Sequence, residues 1–598
     1  MAEARGYPAT LQSDGWTGGN HRHLIAFLIT ANQKAYTVRV DDVTAERKTA
    51  ENLFTLLESA IEDVEKKWNC PVVAVVTDAS DCWAHQINLV VGDYFKVTTP
   101  ILTYSEKATN LISWLRSRTI ILALLRQIQI DSRRDVLTIL RAVLTRWTSH
   151  LRAYQRLLDV LPSLRVMVAA EEARPVAMRL ILVGDGKARA EKMFRLINDS
   201  LFWQSLARVV RHLEPLGKAA NVIQAAYCRL DTVLLMLGYL YAVYSKMTDP
   251  DDCNGVTTIL ESLERRWAKA DHEIFMAAII LNPLYGNTPF APELLNNAGI
   301  RELLVRVYKR VFHTEDVPLT FSIQVGQYLQ RTNKFSNLGT TVNLAIVKAE
   351  LEGKTPDPFY VLNDMSYGNK DLEVFGLSRR VLSITANSAS CERLFSTFGQ
   401  VLTKHRTRLL LKNMTCQAEV KAHIRSEHLR HLDEQRMQKL RQRFQTQKEA
   451  NTADRMPQLT HFTSESASAS ETAHAPTPAP LPANPQPSTS TTAPGHTHLP
   501  QFTFRELVQE QIELADLDTL DFELEDSIRS APDLEAQLSR PTLANLFNYN
   551  DQNWRGIIAS AADRTFDQEL EFYELLDLDA DGEDAEDIDD TTADILFS

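Results

Sequence analysis

The sequence predicts an α+β fold in which a mixed sheet at the N-terminus is interrupted by a large all-helical insertion and followed by a disordered acidic C-terminal tail. Three observations carry that reading: period-two apolar runs before residue 80, helical spacing from about residue 100 to 350, and a polar, acidic composition after residue 450.

Residues 10–40 read as three strands, TLQSD, LIAFLIT from Leu24 to Thr30, and the alternating Tyr36, Val38 and Val40. Thr49 then caps a helix with Leu53, Phe54, Leu57, Ile61 and Val64 on one face, and a buried strand, Val72 to Val76, leads to Asp78. This β-β-β-α-β order is that of a ribonuclease H-like core. The helical stretch follows, with NLISWLRSRTIILALLRQI, AYQRLLDVLPSLRVMVA, FRLINDSLFWQSLARVVRHL and TVLLMLGYLYAVYSKM each apolar at helical spacing. A further helix begins near Asn387 and Ser388 and carries one apolar stripe of Leu394, Phe395, Phe398, Val401 and Leu402. The predicted segments are therefore 10–98 for the first part of the core, 99–375 for the insertion and 376–425 for the piece that completes the core. A charged helix over 426–450, a disordered linker over 451–500 and the acidic tail over 501–598 complete the chain.

A chain of 598 residues has room for two or three domains. The six cysteines stand singly with no CxxC pair, which argues against a disulfide framework or a closed zinc site. Nothing resembles a signal peptide or the roughly 18 apolar residues of a membrane span, so a nuclear or other intracellular place of action without membrane contact is expected. The net charge of −13 hides a segregation: residues 501–598 hold 27 acidic and 5 basic residues, leaving 50 acidic and 59 basic in residues 1–500. A basic body can approach a polyanion such as DNA. The tail interleaves acids with Leu, Phe and Tyr, a composition that suits a protein partner, a fold-back onto the basic body or plain solubilising disorder.

Three carboxylates stand out by position: Asp14 in SDGWTG, Asp78 in VVTDAS and Glu392 in ASCERLFSTFG. Three converging carboxylates can hold the paired divalent cations that in-line phosphoryl transfer requires. The positive run Lys404, Arg406 and Arg408 suits a helix C-terminus or a phosphate contact. SDGWTG, VVTDAS, CWAHQINLVV, TRW and ASCERLFSTFG occur in the order seen in hAT-superfamily transposases. The first 95 residues resemble the domain of unknown function found in fungal hAT-like proteins, and ASCERLFSTFG with LTKHRTRLLL is similar to the superfamily's C-terminal dimerisation region. The resemblance implies that Asp14, Asp78 and Glu392 form a catalytic, metal-binding triad for Mg²⁺ or Mn²⁺, and that an inactive chain needs neither ion. It also implies that Trp16, Arg146 and Trp147 contact DNA and that the chain self-associates as a homodimer or higher oligomer. Cys82 and His85 form a CxxH pair, read as local packing or DNA-proximal groups.

Two departures favour a degenerate enzyme over an active one. Only Ala79 to Asp81 separate Asp78 from Cys82, whereas a parallel crossover needs about a dozen residues. Only 13 residues precede Asp14, too few for an end-recognising zinc finger. The expectation is a transposon-derived protein that dimerises and binds DNA, with two alternatives: an active metal-dependent DNA transposase, and a nuclear interaction protein whose tail recruits partners.

Overall fold

Strand alternation builds the N-terminal sheet. In the computed structural model, β1 (Ala9–Thr17), β2 (His23–Ala31), β3 (Lys34–Asp42) and β4 (Val72–Thr77) form a sheet of order β3-β2-β1-β4. β1 and β3 run antiparallel to β2, and β4 runs parallel to β1 with Ser13 opposite Thr77. The structure describes residues 3–424 other than 19–20, 47–48, 78–81, 134–135, 142–146, 185, 353, 368–371, 403–408 and 422, together with residues 509, 512, 513, 515 and 540–580.

Period-two side-chain placement splits β2 between two cores. Phe27, Ile29 and Ala31 face α1 (Ala50–Asp63), where Ala60, Val64 and Trp68 close a small cluster with Ala9 and Leu11. Leu24, Ala26 and Leu28 face the other way. Thr49 caps α1 as expected, its hydroxyl accepting the Asn52 amide at 3.3 Å. Phe54 departs from expectation: at one residue from Leu53 it lies about 100° round the helix and is 60% exposed. The run Val72–Val76, expected to be buried, is instead an edge strand with Val75 38% exposed, because the sheet ends at β4 among the described residues.

The helical body comprises α2 (Trp83–Val97), α3 (Thr99–Arg116), α4 (Thr119–Asp131), α5 (Trp147–Ala173), α6 (Lys187–Asn198), α7 (Ser200–Ile223), α8 (Leu230–Tyr244), α9 (Cys253–Lys269) and α10 (His272–Leu281). It continues through α11 (Asn297–Phe312), α12 (Leu319–Gln330), α13 (Leu338–Glu352), α14 (Pro358–Ser366) and α15 (Glu373–Leu382) to α16 (Ala389–Val401). A helical stretch over residues 411–421 is α17. One predicted helix breaks at Ser117–Arg118 and another at Asp199, whose side chain caps α7 by accepting the Leu201 and Phe202 amides.

α2 belongs to the body rather than to the sheet's side of the 98/99 boundary. Trp83, Ile87, Val90, Val91, Tyr94 and Phe95 join the large helical core. Buried Asp93 fastens α2 to α9, accepting from Ser262 Oγ at 2.6 Å and from Arg265 and Arg266 at 2.9 and 3.2 Å. Such a carboxylate is tolerated because each lone pair finds a donor.

Part of the chain expected as an acidic tail also belongs to this core. The short α18 (Leu543–Leu546) and the start of α19 (Gln552–Ala580) place Leu543, Leu546, Phe547, Trp554, Ile558, Ala562 and Phe566 within it. No described helix is long and apolar enough to cross a membrane.

The interior also holds histidines that resist protonation. Burial lowers His150 to about 4 from 6.5, and lowers His212, whose Nδ1 meets Tyr94 Oη at 3.0 Å. A depressed pKa means that the unfolded chain takes up a proton that the native state refuses, so stability present above pH 6.5 is lost as pH falls toward 4. At pH 5 the His150 contribution lost is about 2 kcal/mol. Denaturant unfolding of the full chain at pH 7.5 and pH 5 should show that loss, and His150→Leu should flatten it; an unchanged pH dependence in the variant would refute the assignment.

Candidate functional site

Alternation along β1 places Thr10, Gln12, Asp14 and Trp16 on one sheet face, opposite Thr30, Leu28, Ala26 and Leu24 of β2. α16 covers this face. Leu394, Phe395, Phe398 and Val401 pack on Leu24, Ala26 and Leu28, with Met414 and Ala418 of α17 completing the cluster and Leu402 at its margin. Trp16 stacks on Phe395 at 5.7 Å and meets Phe398 edge-on at 6.2 Å.

The approach to α16 is held by side chains far apart in sequence. Thr10 Oγ1 donates to the Ser383 carbonyl and accepts the Thr385 amide, both at 3.0 Å. The Ala386 carbonyl accepts the Trp83 amide at 3.0 Å, and the Ala386 amide donates to the Cys228 carbonyl at 2.9 Å. Asn387, fully buried, donates to the carbonyls of Ile223 and Ala225 and accepts the Ala389 amide at 3.1 Å, capping α16. These contacts bring the start of α2, the start of α16 and β1 together.

Glu392 sits exposed in the first turn of α16, and Asp14 is half-buried on the sheet face below that helix. Cys82 reports their surroundings. Burial pushes its thiol up, hydrogen bonds with Ser388 and the His85 backbone oppose the rise, and the Glu392 charge adds to it. Glu392 is therefore within electrostatic reach of the residue that opens α2. The CxxH pair accordingly packs locally at the Cys82 end.

Asp78 lies outside the described residues, as do Arg146, Lys404, Arg406 and Arg408. Two of the three carboxylates are thus placed, Asp14 on β1 and Glu392 on α16, with the register of β1 and β4 followed as far as Ser13 and Thr77. The Gly15 amide donates to Asp14 Oδ1 at 2.6 Å. A cleft of about 390 Å³ opens beside Asp14, lined among others by Ser13, His23, Asn52 and Thr77. Among the described residues no three His, Cys, Asp or Glu side chains are grouped to hold a metal.

The two tryptophans expected at DNA are both packed within the chain. Trp147 is 7% exposed and its Nε1 donates to Asn88 Oδ1 at 3.0 Å. Trp16 is half-buried under α16. The predicted dimerisation stripe has the same fate, because an apolar helix face gains more from the adjacent sheet than from water. A contact with a second copy through this stripe would require α16 to leave the sheet.

Residues 3–107 match a domain of unknown function (DUF659), and residues 366–417 match the hAT family C-terminal dimerisation region. The two matches support an hAT-family transposase-like protein. No curated protein matches the chain. The two matched segments are the two that Thr10, Trp16 and α16 join, so regions separated by more than 250 residues of sequence meet in one structure. The dimerisation match supports self-association. Thr10, Asn387 and Ser388 were not singled out as functional from sequence; only the Asn-Ser pair before a helix carried a capping signal.

Phe398 is wholly buried between sheet and helix. Phe398→Ala should lower the stability of the chain by about 3–5 kcal/mol, independent of protein concentration. Thermal unfolding across a hundredfold concentration range checks this; a loss that appears only at high concentration would instead place Phe398 between subunits.

Proposed function

We propose that this is a transposon-derived nuclear protein that self-associates and binds duplex DNA through its basic body without cutting it. The observation that carries this reading is the route from sheet to body. β4 is an edge strand ending at Thr77, and Cys82 already lies in the helical core, so residues 78–81 alone connect them. A parallel crossover helix and a fifth strand do not fit in four residues. The sheet order, with β4 parallel to β1, supports descent from a ribonuclease H-like core.

DNA binding rests on the excess of basic over acidic residues in the first 500. Self-association is assigned to side chains that the fold leaves outside. With the α16 stripe occupied by the sheet, Leu410, just before α17, and Val420, in its last turn, are 66% and 57% exposed, the first within and the second just beyond the matched dimerisation region.

A second reading, metal-dependent DNA transfer with Mg²⁺ or Mn²⁺, is favoured by Asp14 lying on the sheet face that α16, the helix carrying Glu392, covers. Asp14, Asp78 and Glu392 would then supply the carboxylate ligands, the two cations would activate the nucleophile and stabilise the leaving oxygen, and this chain's part would be to position them.

Purified full-length protein should retard duplex DNA with an affinity falling about tenfold or more between 50 and 200 mM salt. It should leave supercoiled DNA intact in Mg²⁺ and in Mn²⁺. Nicking that disappears in both Asp14→Ala and Glu392→Ala would establish the second reading and overturn the first. For self-association, Leu410→Asp with Val420→Asp should convert the oligomer to monomer in light scattering without shifting the unfolding midpoint; an unchanged mass would remove this surface.

A further inference from the structure

The C-terminal segment makes a set of contacts with the helical body of the kind a bound peptide makes. Its first turn is held through backbone groups. Glu264 of α9 accepts the Leu543 and Ala544 amides, each at 2.9 Å, so a body carboxylate caps the free N–H groups of α18. The Pro541 carbonyl accepts Trp267 Nε1 at 2.8 Å. A short antiparallel bridge follows, in which the Ala291 amide donates to the Leu546 carbonyl and the Asn548 amide to the Pro289 carbonyl.

Aromatic side chains then fill the body's surface. Phe547 stacks on Phe290 at 6.0 Å and on Trp554 at 5.0 Å, and Tyr549 stacks on Tyr241 at 5.7 Å. The Phe547 ring lies so close to Gly238 of α8 that a Cβ there would come within 2.6 Å of it. Further along, Phe566 packs beneath Arg152 and beside Gly217 of α7, and Asp563 pairs with Lys218 at 2.8 Å. Phe547, Trp554 and Phe566 are each less than 5% exposed. In sequence, residues 424–501, which form a unit of their own, stand between residues 1–423 and the stretch 502–598 to which this segment belongs.

We infer that the face formed by α7, α8, α9 and residues 289–291 is a peptide-docking groove whose occupant is the chain's own Pro541–Phe566 segment, bound by aromatic anchors and a Glu264 backbone clamp. The groove recognises an aromatic-rich peptide without net charge by two large rings seven residues apart and a third twelve residues beyond. Gly238 is the specificity device, because only a residue without Cβ admits the first ring. Attachment through the intervening chain makes binding intramolecular, so an interaction of moderate strength keeps the groove filled. The inference is independent of DNA binding and of catalysis.

The test uses the full-length protein with a specific protease site substituted within residues 451–500. After cleavage at ~1 µM, the C-terminal fragment should co-elute with the body in gel filtration at the mass of one uncut copy or of its native oligomer. Excess synthetic peptide 541–566 should displace it. Gly238→Ala replaces glycine by a better helix former and should release the fragment while circular dichroism holds. Phe547→Ala and Trp554→Ala leave the body sequence untouched and should each weaken retention by roughly thirtyfold. Release of the wild-type fragment, or retention undiminished in all three variants, would overturn the proposal. So would a doubled mass lost in Phe547→Ala, which would assign the groove to a second copy's segment.

Discussion

The connector from Ser383 to Ser388 is the constraint on which the rest of the structure depends. It threads between β1, the start of α2 and the turn after α7, where the Ser383 carbonyl, the Thr385 amide, both Ala386 backbone groups and the Asn387 side chain find partners at Thr10, Trp83, Cys228, Ile223 and Ala225. Each such bond contributes only about 1 kcal/mol net, but leaving one buried group unpaired costs about 1–3 kcal/mol. The connector is thus specified less by attraction than by the penalty for any other placement. Once it is fixed, α16 has a single origin and its apolar stripe a single destination.

That destination settles how the motif residues of α16 divide between roles. A sheet buried on both faces needs two covers, and α1 supplies only one. Without α16, Leu24, Ala26 and Leu28 would face water, at about 1.5–3 kcal/mol for each large side chain exposed. The stripe that reads as an interface from sequence is therefore a lid. Interface and lid look alike in a helical pattern, because both require residues at the same spacing and neither requires a particular partner.

Much of the architecture was legible for the same reason that this distinction was not. Alternation located β1, β2 and β3, and Thr49 announced α1. Periodicity reports which residues avoid water and not what they touch. It could not show that Val72–Val76 lies at an edge, that α2 leaves the sheet for the body, or that Trp147 turns its indole to Asn88. The Thr10 clamp carries no local signal, since a threonine in a strand is ordinary and its partners lie about 375 residues away. The C-terminal anchors were hidden by averaging: residues 501–598, with a large acidic excess, read as solvated although Phe547, Trp554 and Phe566 are buried.

The same economy bears on the candidate carboxylates. Asp14 and Glu392 lie on the two elements that Trp16 and Phe395, two and three residues further along, join by stacking. Their placement on β1 and α16 follows from packing whether or not a cation ever joins them. A chain that had given up catalysis could keep the stacking pair and lose the acids without loosening the fold, whereas a chain that still binds metal must keep both. Persistence of the acids would therefore reflect selection on charge at this face and not on the packing that placed them there.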